Sequence, residues 1–338
     1  MSLQLFDKPI LAIESSCDET SASVVVGRRV LSNVIASQIE MHQKWGGIVP
    51  EAAARAHIEA ILPVVQEALE PLNGELPGAI AVTNRPGLIG ALSVGVTAAK
   101  ALSFGWQVPM IGIHHLEGHL LSICAESTGP DLPEFPLISL IVSGGHTEVV
   151  LVRAPGDYEI LGETLDDAAG EAFDKGARLL GLGYPGGRAI QELAKTGNPK
   201  RYQLPRGLPK DKANFSFSGL KTAMLRLVES EGENLNKADA AASLQAAIVD
   251  VLVKKAIYSL ELSDCRSFSL VGGVAANQAL RSALQHEIER RGFKFYVPEF
   301  SLCTDNAAMI GLAASFRLAK GQHDGFGMDA MATSGLPC

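Results

Sequence analysis

Two stretches of the chain carry the same pattern, and that recurrence limits the fold more than any other feature. Residues 10–26 read apolar run, polar turn (Ser15-Ser16-Cys17-Asp18-Glu19-Thr20), apolar run. Residues 137–153 repeat it, with Ser143-Gly144-Gly145-His146-Thr147 as the turn. Short apolar runs bounded by turn residues are buried strands. One such unit opens each half of the chain, as an internal duplication would place them. Between them, helical and strand patterns alternate: helix 51–69, strand 78–83, helix 88–106, strand 108–113, helix 116–126. That order is an α/β layer architecture with a largely parallel sheet. At 338 residues the chain exceeds one hydrophobic core, so two duplicated lobes are expected. The polar, Pro- and Gly-rich stretch 126–136 is the crossover. It divides lobe 1–135 from lobe 136–304, with 305–338 returning to pack near the first.

Composition narrows the class. Hydrophobic residues make up 47 % and aromatics only 6 %, as in globular α/β proteins. A net charge of −8 argues against gripping nucleic acid by the overall field, though not by a local basic groove. The locally basic segment is 195–212, with Lys195, Lys200, Arg201, Arg206, Lys210 and Lys212 against Asp211. Its prolines make it an exposed loop. The five cysteines form no C-x-x-C pair, which fits a reducing cytosol and not a disulfide framework. No secretory leader is read at residues 10–13, and Lys100 and Gln107 are expected to interrupt the nearest membrane-length stretch. A cytoplasmic protein with no membrane partner is therefore expected, with a loosely ordered tail from Gly321.

The chemistry-bearing stretch is His114-His115-Leu116-Glu117-Gly118-His119. His115 and His119, four apart on a helix, project from one face and can share a divalent metal. The third ligand must come from elsewhere. Asp305, at the start of a downstream apolar helix, is the best candidate. The alternative for such a pair is packing and hydrogen bonding. Gly144-Gly145 and Gly272-Gly273 each follow a strand and expose backbone N–H groups suited to phosphate oxygens. Each is equally the glycine a tight turn demands. No G-x-x-x-x-G-K-[ST] occurs, and no G-x-G-x-x-G follows the first strand, which argues against a P-loop or a Rossmann site.

Seven motifs now stand in one order. They are Ile13-Glu14-Ser15-Ser16-Cys17-Asp18-Glu19-Thr20, Gly46-Gly47-Ile48-Val49-Pro50-Glu51, the histidine stretch, Val142-Ser143-Gly144-Gly145-His146-Thr147, the run Asp166-Asp167-Ala168-Ala169-Gly170-Glu171-Ala172-Phe173-Asp174-Lys175, Tyr184-Pro185-Gly186-Gly187, and Gly272-Gly273-Val274-Ala275-Ala276-Asn277. As a set, spanning residues 13 to about 310, they resemble the TsaD family of tRNA N6-adenosine threonylcarbamoyltransferases, once called O-sialoglycoprotein endopeptidases. The resemblance implies an actin-like, sugar-kinase-like fold of two RNase H-like lobes around a nucleotide cleft. It implies transfer of a threonylcarbamoyl group from threonylcarbamoyl-adenylate to N6 of adenosine 37, in tRNAs reading codons that begin with A, with release of AMP. His115, His119 and Asp305 would hold one divalent metal per chain, Fe2+ in the family, with Zn2+ or Mg2+ open in a purified sample. Ile141, Val142, Ser143, Gly144 and Gly145 would lie against the adenylate. Asp174 would bond the ribose, and Gly187 and Asn277 would line the nucleoside pocket. Asp18 would assist transfer, its alternative being to cap a turn. Bacterial relatives imply a paralogous partner of the same fold and a small P-loop ATPase; a homodimer stays open.

Departures and rivals complete the picture. Thr83-Asn84-Arg85-Pro86-Gly87-Leu88 stands where the family reads T-x-G-P-G-L, Arg188 where a Pro is common, and Gln191 where an Asp is common. A zincin peptidase needs H-E-x-x-H, whereas here Glu117 follows His115 by two and turns to another face. A plain ATPase or kinase of this fold would not need the two histidines, and a nucleotide-binding scaffold would not need metal ligands.

Overall fold

The computed structural model describes residues 3–211 and 213–336. The chain divides into two compact units. The first runs to Pro133, takes in Ala154–Tyr158 and resumes at Pro298; the second holds Glu134–Arg153 and Glu159–Val297.

In the first unit, β1 (Ile10–Glu14) is buried along its whole length. It pairs antiparallel with β2 (Glu19–Val26) and parallel with β4 (Ala79–Arg85). With β3 (Arg29–Ser37) and β5 (Met110–His114) the sheet order is β3-β2-β1-β4-β5. The strand period of two decides what β1 serves. Leu11 and Ile13 point into a core with Ile61, Val64 and Val65 of α2 (Pro50–Ala68) and Val96 and Ala99 of α3 (Ile89–Trp106). Ala12 faces the opposite side, where α10 (Ala307–Ala319) lies so close that a Cβ on Gly311 would stand 3.3 Å from the Ala12 methyl. Glu14 shares that side by register, so β1 delivers a carboxylate beside α10 and the short α4 (His115–Leu121). A five-residue helix, α1 (Ile39–Gln43), precedes α2.

The second unit repeats the order. Its sheet is built from β6 (Leu137–Val142), β7 (Thr147–Ala154), β8 (Asp157–Glu163), β9 (Ser267–Val271) and β10 (Lys294–Tyr296), arranged β10-β9-β6-β7-β8. In both sheets the first strand sits centrally, antiparallel to the second and parallel to the fourth. The duplication seen in two turns thus extends to whole sheet topologies. Helices α5 (Ala169–Leu179), α6 (Gly186–Ala194), α7 (Ser218–Glu231), α8 (Lys237–Leu262) and α9 (Gln278–Arg290) complete the unit.

Several expectations are corrected. Each sheet is mixed: the antiparallel pairs β1–β2 and β6–β7 join parallel strands, and each is extended by an edge strand, β3 or β8, that the apolar pattern misses. Both are edge strands with no continuous buried face, so their alternation is blurred. Helix α3 includes Lys100 yet is 18 residues long and apolar enough to match a bilayer span by length and composition. It packs on β4 and α2 as a covering helix of the sheet. The tail beyond Gly321 is tied down by its backbone. Asp324 pairs with Met110, Met331 N donates to Asn84 O at 2.9 Å and Gly87 N to Ala332 O at 3.1 Å. Four cysteines (Cys17, Cys124, Cys265 and Cys303) are free thiols; Cys338 lies outside the described residues.

Candidate functional site

Helix α4 starts where β5 ends, because His114 caps it: its Nδ1 accepts the Leu116 N–H at 3.2 Å. All seven residues of α4 are buried. His115 and His119 stand one turn apart with ring centroids 4.8 Å from each other and planes at 87°. Asp305 lies one residue before Asn306, whose side chain caps α10 by accepting from Met309 N at 3.0 Å. Ser21 on β2 accepts the Ala307 N–H at 2.9 Å, fixing that helix start against the sheet. The result is convergence. Asp305 Oδ1 is 3.1 Å from His119 Nε2 and 3.5 Å from His115 Nε2. The ligand atoms of the three residues all lie within 4.8 Å of one another.

Glu14 explains the orientation of His115 and went unnoticed in the sequence. Its carboxylate is fully buried. It accepts from Ser16 N at 2.5 Å, from Thr83 Oγ1 at 2.6 Å and from His115 Nδ1 at 3.0 Å. A charged residue ending an otherwise apolar strand was the available signal. With Nδ1–H given to Glu14, the Nε2 lone pair of His115 faces a carboxylate oxygen, an arrangement that needs a cation between them. Burial pushes His115 down, but Asp305 and Glu14 outweigh it and raise its pKa to about 9. Burial likewise pushes Glu14 up, yet His115 overcomes this and holds the carboxyl below its ordinary value. Two imidazoles, one carboxylate and an outer carboxylate on the far ring nitrogen form a donor set compatible with a divalent metal.

Beside this cluster the β1–β2 turn presents Asp18. The turn is held by His57 of α2, whose Nδ1 accepts from Thr20 Oγ1 at 2.7 Å and whose Nε2 donates to Cys17 O at 3.1 Å. Burial lowers the His57 pKa, in keeping with a ring that accepts on one nitrogen and donates on the other. Gln38 N donates to Asp18 O at 3.0 Å. Burial first, and the Asp305 charge second, raise the Asp18 carboxyl above its usual range. Glu19 is raised further, to about 7, chiefly by burial, with Asp18 and Asp305 adding to it. Its Oε2 is buried and unpartnered. Sequence reasoning treated Glu19 as turn only.

The second unit gathers the glycine turns. Gly272 has φ +92°, and a Cβ there would stand 2.5 Å from Val142 O, so the ends of β9 and β6 meet only through glycine. Ser143 closes its own turn, accepting His146 N on Oγ at 3.1 Å and donating its N–H to His146 O at 2.8 Å. Its carbonyl accepts Gly170 N at 3.2 Å, which brings the start of α5 alongside. Gly144, Gly145 and Gly187 border open space, whereas the side chains of Ile141 and Val142 are wholly in the core. Asp174 Oδ1 accepts Gly186 N at 2.7 Å, and burial raises its carboxyl. Asn277 caps α9 through Leu280 N at 3.0 Å and donates to Gln245 at 3.0 Å.

Two of the departures have local partners. Gln191 Oε1 accepts Gln278 N at 2.7 Å, tying α6 to the start of α9. Arg85 donates to Asn84 Oδ1 at 3.1 Å. In the basic loop, Lys195 pairs with Glu192 at 2.7 Å and Arg206 with Asp250 at 2.5 Å. Lys200, Arg201 and Lys210 are exposed, and Lys212 lies outside the described residues. Glu117 is buried in an ion pair with Arg317 at 2.8 Å and accepts from Tyr158 at 3.0 Å. A carboxylate so engaged cannot activate water as a zincin requires.

Comparison with known proteins agrees with this geometry. The family model for TsaD, tRNA N6-adenosine threonylcarbamoyltransferase, matches residues 29–312. A protein of that name from Symbiobacterium thermophilum is 50 % identical over 333 residues, covering 97 % of this chain and 96 % of the relative. One from Clostridium botulinum (strain Hall) is 51 % identical over 95 % of this chain and 96 % of its own. One from Clostridium perfringens (strain SM101) is 52 % identical over 96 % of each. Among solved structures, full-length HypF in a phosphate- and nucleotide-bound form aligns with a TM-score of 0.62 at 17 % identity, over 94 % of this chain and 47 % of HypF. The activator of 2-hydroxyisocaproyl-CoA dehydratase from Clostridium difficile aligns at 0.54 and 13 % identity, over 93 % and 96 %. These two likenesses concern the fold alone. The motif order, the sheet duplication and the sequence identity agree: this chain belongs to the TsaD family and is a transferase of the tRNA N6-adenosine threonylcarbamoyltransferase type.

Proposed function

We propose that the protein moves a threonylcarbamoyl group from threonylcarbamoyl-adenylate to N6 of adenosine 37, in tRNAs that read codons beginning with A, and releases AMP. The observation that carries this reading is the convergence of His115 Nε2, His119 Nε2 and Asp305 Oδ1 next to the turn that presents the half-buried Asp18. In the reaction the adenine N6 forms a bond to the carbamoyl carbon, the carbon–oxygen bond to the phosphate breaks, and the electron pair leaves on AMP. The N6 proton must be taken up. Asp18, with a carboxyl raised above the usual range, is a better acceptor than an ordinary aspartate, and we assign it that role. The exocyclic amine is a poor nucleophile, so most of the acceleration comes from holding the two reactants together. His115, His119 and Asp305 would hold one divalent metal, Fe2+ by preference since two histidines and one carboxylate suit it. When bound, the metal supplies Lewis acidity toward the carbonyl or phosphate oxygen.

Ser143, Gly144 and Gly145, with the Ile141 and Val142 backbone, would receive the adenylate phosphate. Asp174 would take the ribose, with Gly187 and Asn277 along the nucleoside. The exposed Lys200, Arg201 and Lys210 are assigned to the tRNA backbone. We place the protein in the cytoplasm, working with a paralogue of its own fold and a small P-loop ATPase. Incubating unmodified tRNA with the protein, threonylcarbamoyl-adenylate and those partners, then analysing nucleosides by mass spectrometry, tests the proposal. One modified adenosine per AMP released is expected; AMP release with no modified nucleoside would reduce the protein to a hydrolase.

A further inference from the structure

We infer that Glu117 is the positioning residue of the metal site: gripped by Arg317 and Tyr158, it fixes α4 on α10 and so sets the span between the two imidazoles and Asp305. The inference rests on the reading of His115, His119 and Asp305 as metal ligands. Glu117 is fully buried and lies between the two histidines in sequence. At 3.6 residues per turn it projects from a different side of α4 than they do. Its oxygens receive Arg317 Nε at 2.9 Å, Arg317 Nη2 at 2.8 Å and the Tyr158 hydroxyl at 3.0 Å. This is a forked, charge-assisted hold of high directional specificity. Tyr158 is itself fixed, because its hydroxyl accepts the Gly156 N–H at 3.0 Å.

Two attachments therefore join α4 to the opposite ends of α10. Asp305 precedes its cap and meets His119, whereas Arg317 sits in its last turn and meets Glu117. Together with the packing between them, these two attachments set the position of α4 along α10. Gly118, between the attachment points, lets the helices approach. A Cβ there would be 2.7 Å from Ile310 Cδ1 and 3.1 Å from Met309 Cγ. Within one turn of α4, Glu117 clamps, Gly118 permits contact and His119 ligates. A buried ion pair costs desolvation that a pair of apolar side chains would avoid. Its use here is explained if the position of α4 matters more than stability.

Co2+ titration of the full-length metal-free protein, read by visible absorption, tests this without any activity assay. Glu117→Gln and Arg317→Lys should each weaken Co2+ binding by about 10-fold, the low end of the loss for a residue bonded directly to a ligand because Glu117 acts through the helix, and should change the ligand-field spectrum. Tyr158→Phe should weaken it less. Lys255→Met serves as a control for mere destabilisation, since it breaks a buried lysine clamp on the carbonyls of Leu208, Asp211 and Asn214 in the second unit. It should lower the melting temperature and leave Co2+ affinity unchanged. Wild-type affinity and spectrum in Arg317→Lys and Tyr158→Phe would overturn the inference even if Glu117→Gln failed to fold. Equal weakening by the Lys255 control would overturn it as well. Absence of any histidine-type Co2+ spectrum in the wild type would instead remove the metal reading, and the inference with it.

Discussion

Gly118→Ala puts a number on how tightly α4 is pressed against α10. The added methyl would sit 2.7 Å from Ile310 Cδ1 and 3.1 Å from Met309 Cγ, and both residues are fully buried. Relief requires Ile310 to leave its rotamer in a filled core or α4 to move off α10. Overpacking of this kind costs about 1–3 kcal/mol. Against it stands the gain of about 1 kcal/mol for replacing glycine by alanine inside a helix. Because both contacted side chains are fully buried, the steric cost falls in the upper part of that range, about 2–3 kcal/mol, and a net loss of about 1–2 kcal/mol follows. The chain has two tryptophans, Trp45 and Trp106, both in the first unit, so urea unfolding followed by tryptophan fluorescence reports on the unit that matters. The midpoint should fall with the slope unchanged. A midpoint equal to or above wild type would mean that α4 has room to spare, and the close-approach reasoning would be wrong.

Asp18→Asn keeps the size of the side chain but removes its proton-accepting ability. Transfer to tRNA should fall by about 10²–10⁴-fold while metal and adenylate binding persist; near-normal modified adenosine at matched occupancy would falsify the role of Asp18. Glu148 on β7 is buried with Oε2 unpartnered, and burial followed by Glu163 raises its carboxyl to about 7. Because the folded form holds that proton more tightly than the unfolded chain, stability should decline as pH rises from about 4.5 to about 7 and level off above. Glu148→Gln should then be more stable than wild type by about 1–3 kcal/mol at pH 8, with the difference vanishing near pH 4; equal stability at pH 8 would count against it. Neutralising Lys200, Arg201 and Lys210 together should weaken tRNA binding and flatten its dependence on salt, whereas an unchanged slope would move the tRNA surface elsewhere.

Much of the site was legible because the chemistry left local marks. His115 and His119 announced themselves by helical spacing, and Gly272 by the turn it had to make. Asp305 could be nominated by chemistry but not by pattern, since it meets His119 across 186 residues of chain. Glu14 was hidden because a strand-ending glutamate reads as the onset of a turn. Only the two-residue period of β1 and the position of α4 show that it faces inward. The edge strands β3 and β8 escaped because their residues are mixed and partly exposed, though Gly27 and Gly156, both at positive φ, mark the hairpins that lead to them. The tail looked loose for a related reason. Its anchors to Asn84, Gly87 and Met110 are backbone hydrogen bonds, which no side-chain pattern encodes.

A divalent metal held by His115, His119 and Asp305 is the centre of the proposed mechanism, and elemental analysis of the full-length protein tests for it directly. The wild type should carry close to one divalent metal per chain. His115→Ala, which removes one ligand and leaves Glu14 without its imidazole, should lose most of it while remaining folded. Full metal retention in His115→Ala would contradict the assignment of the site.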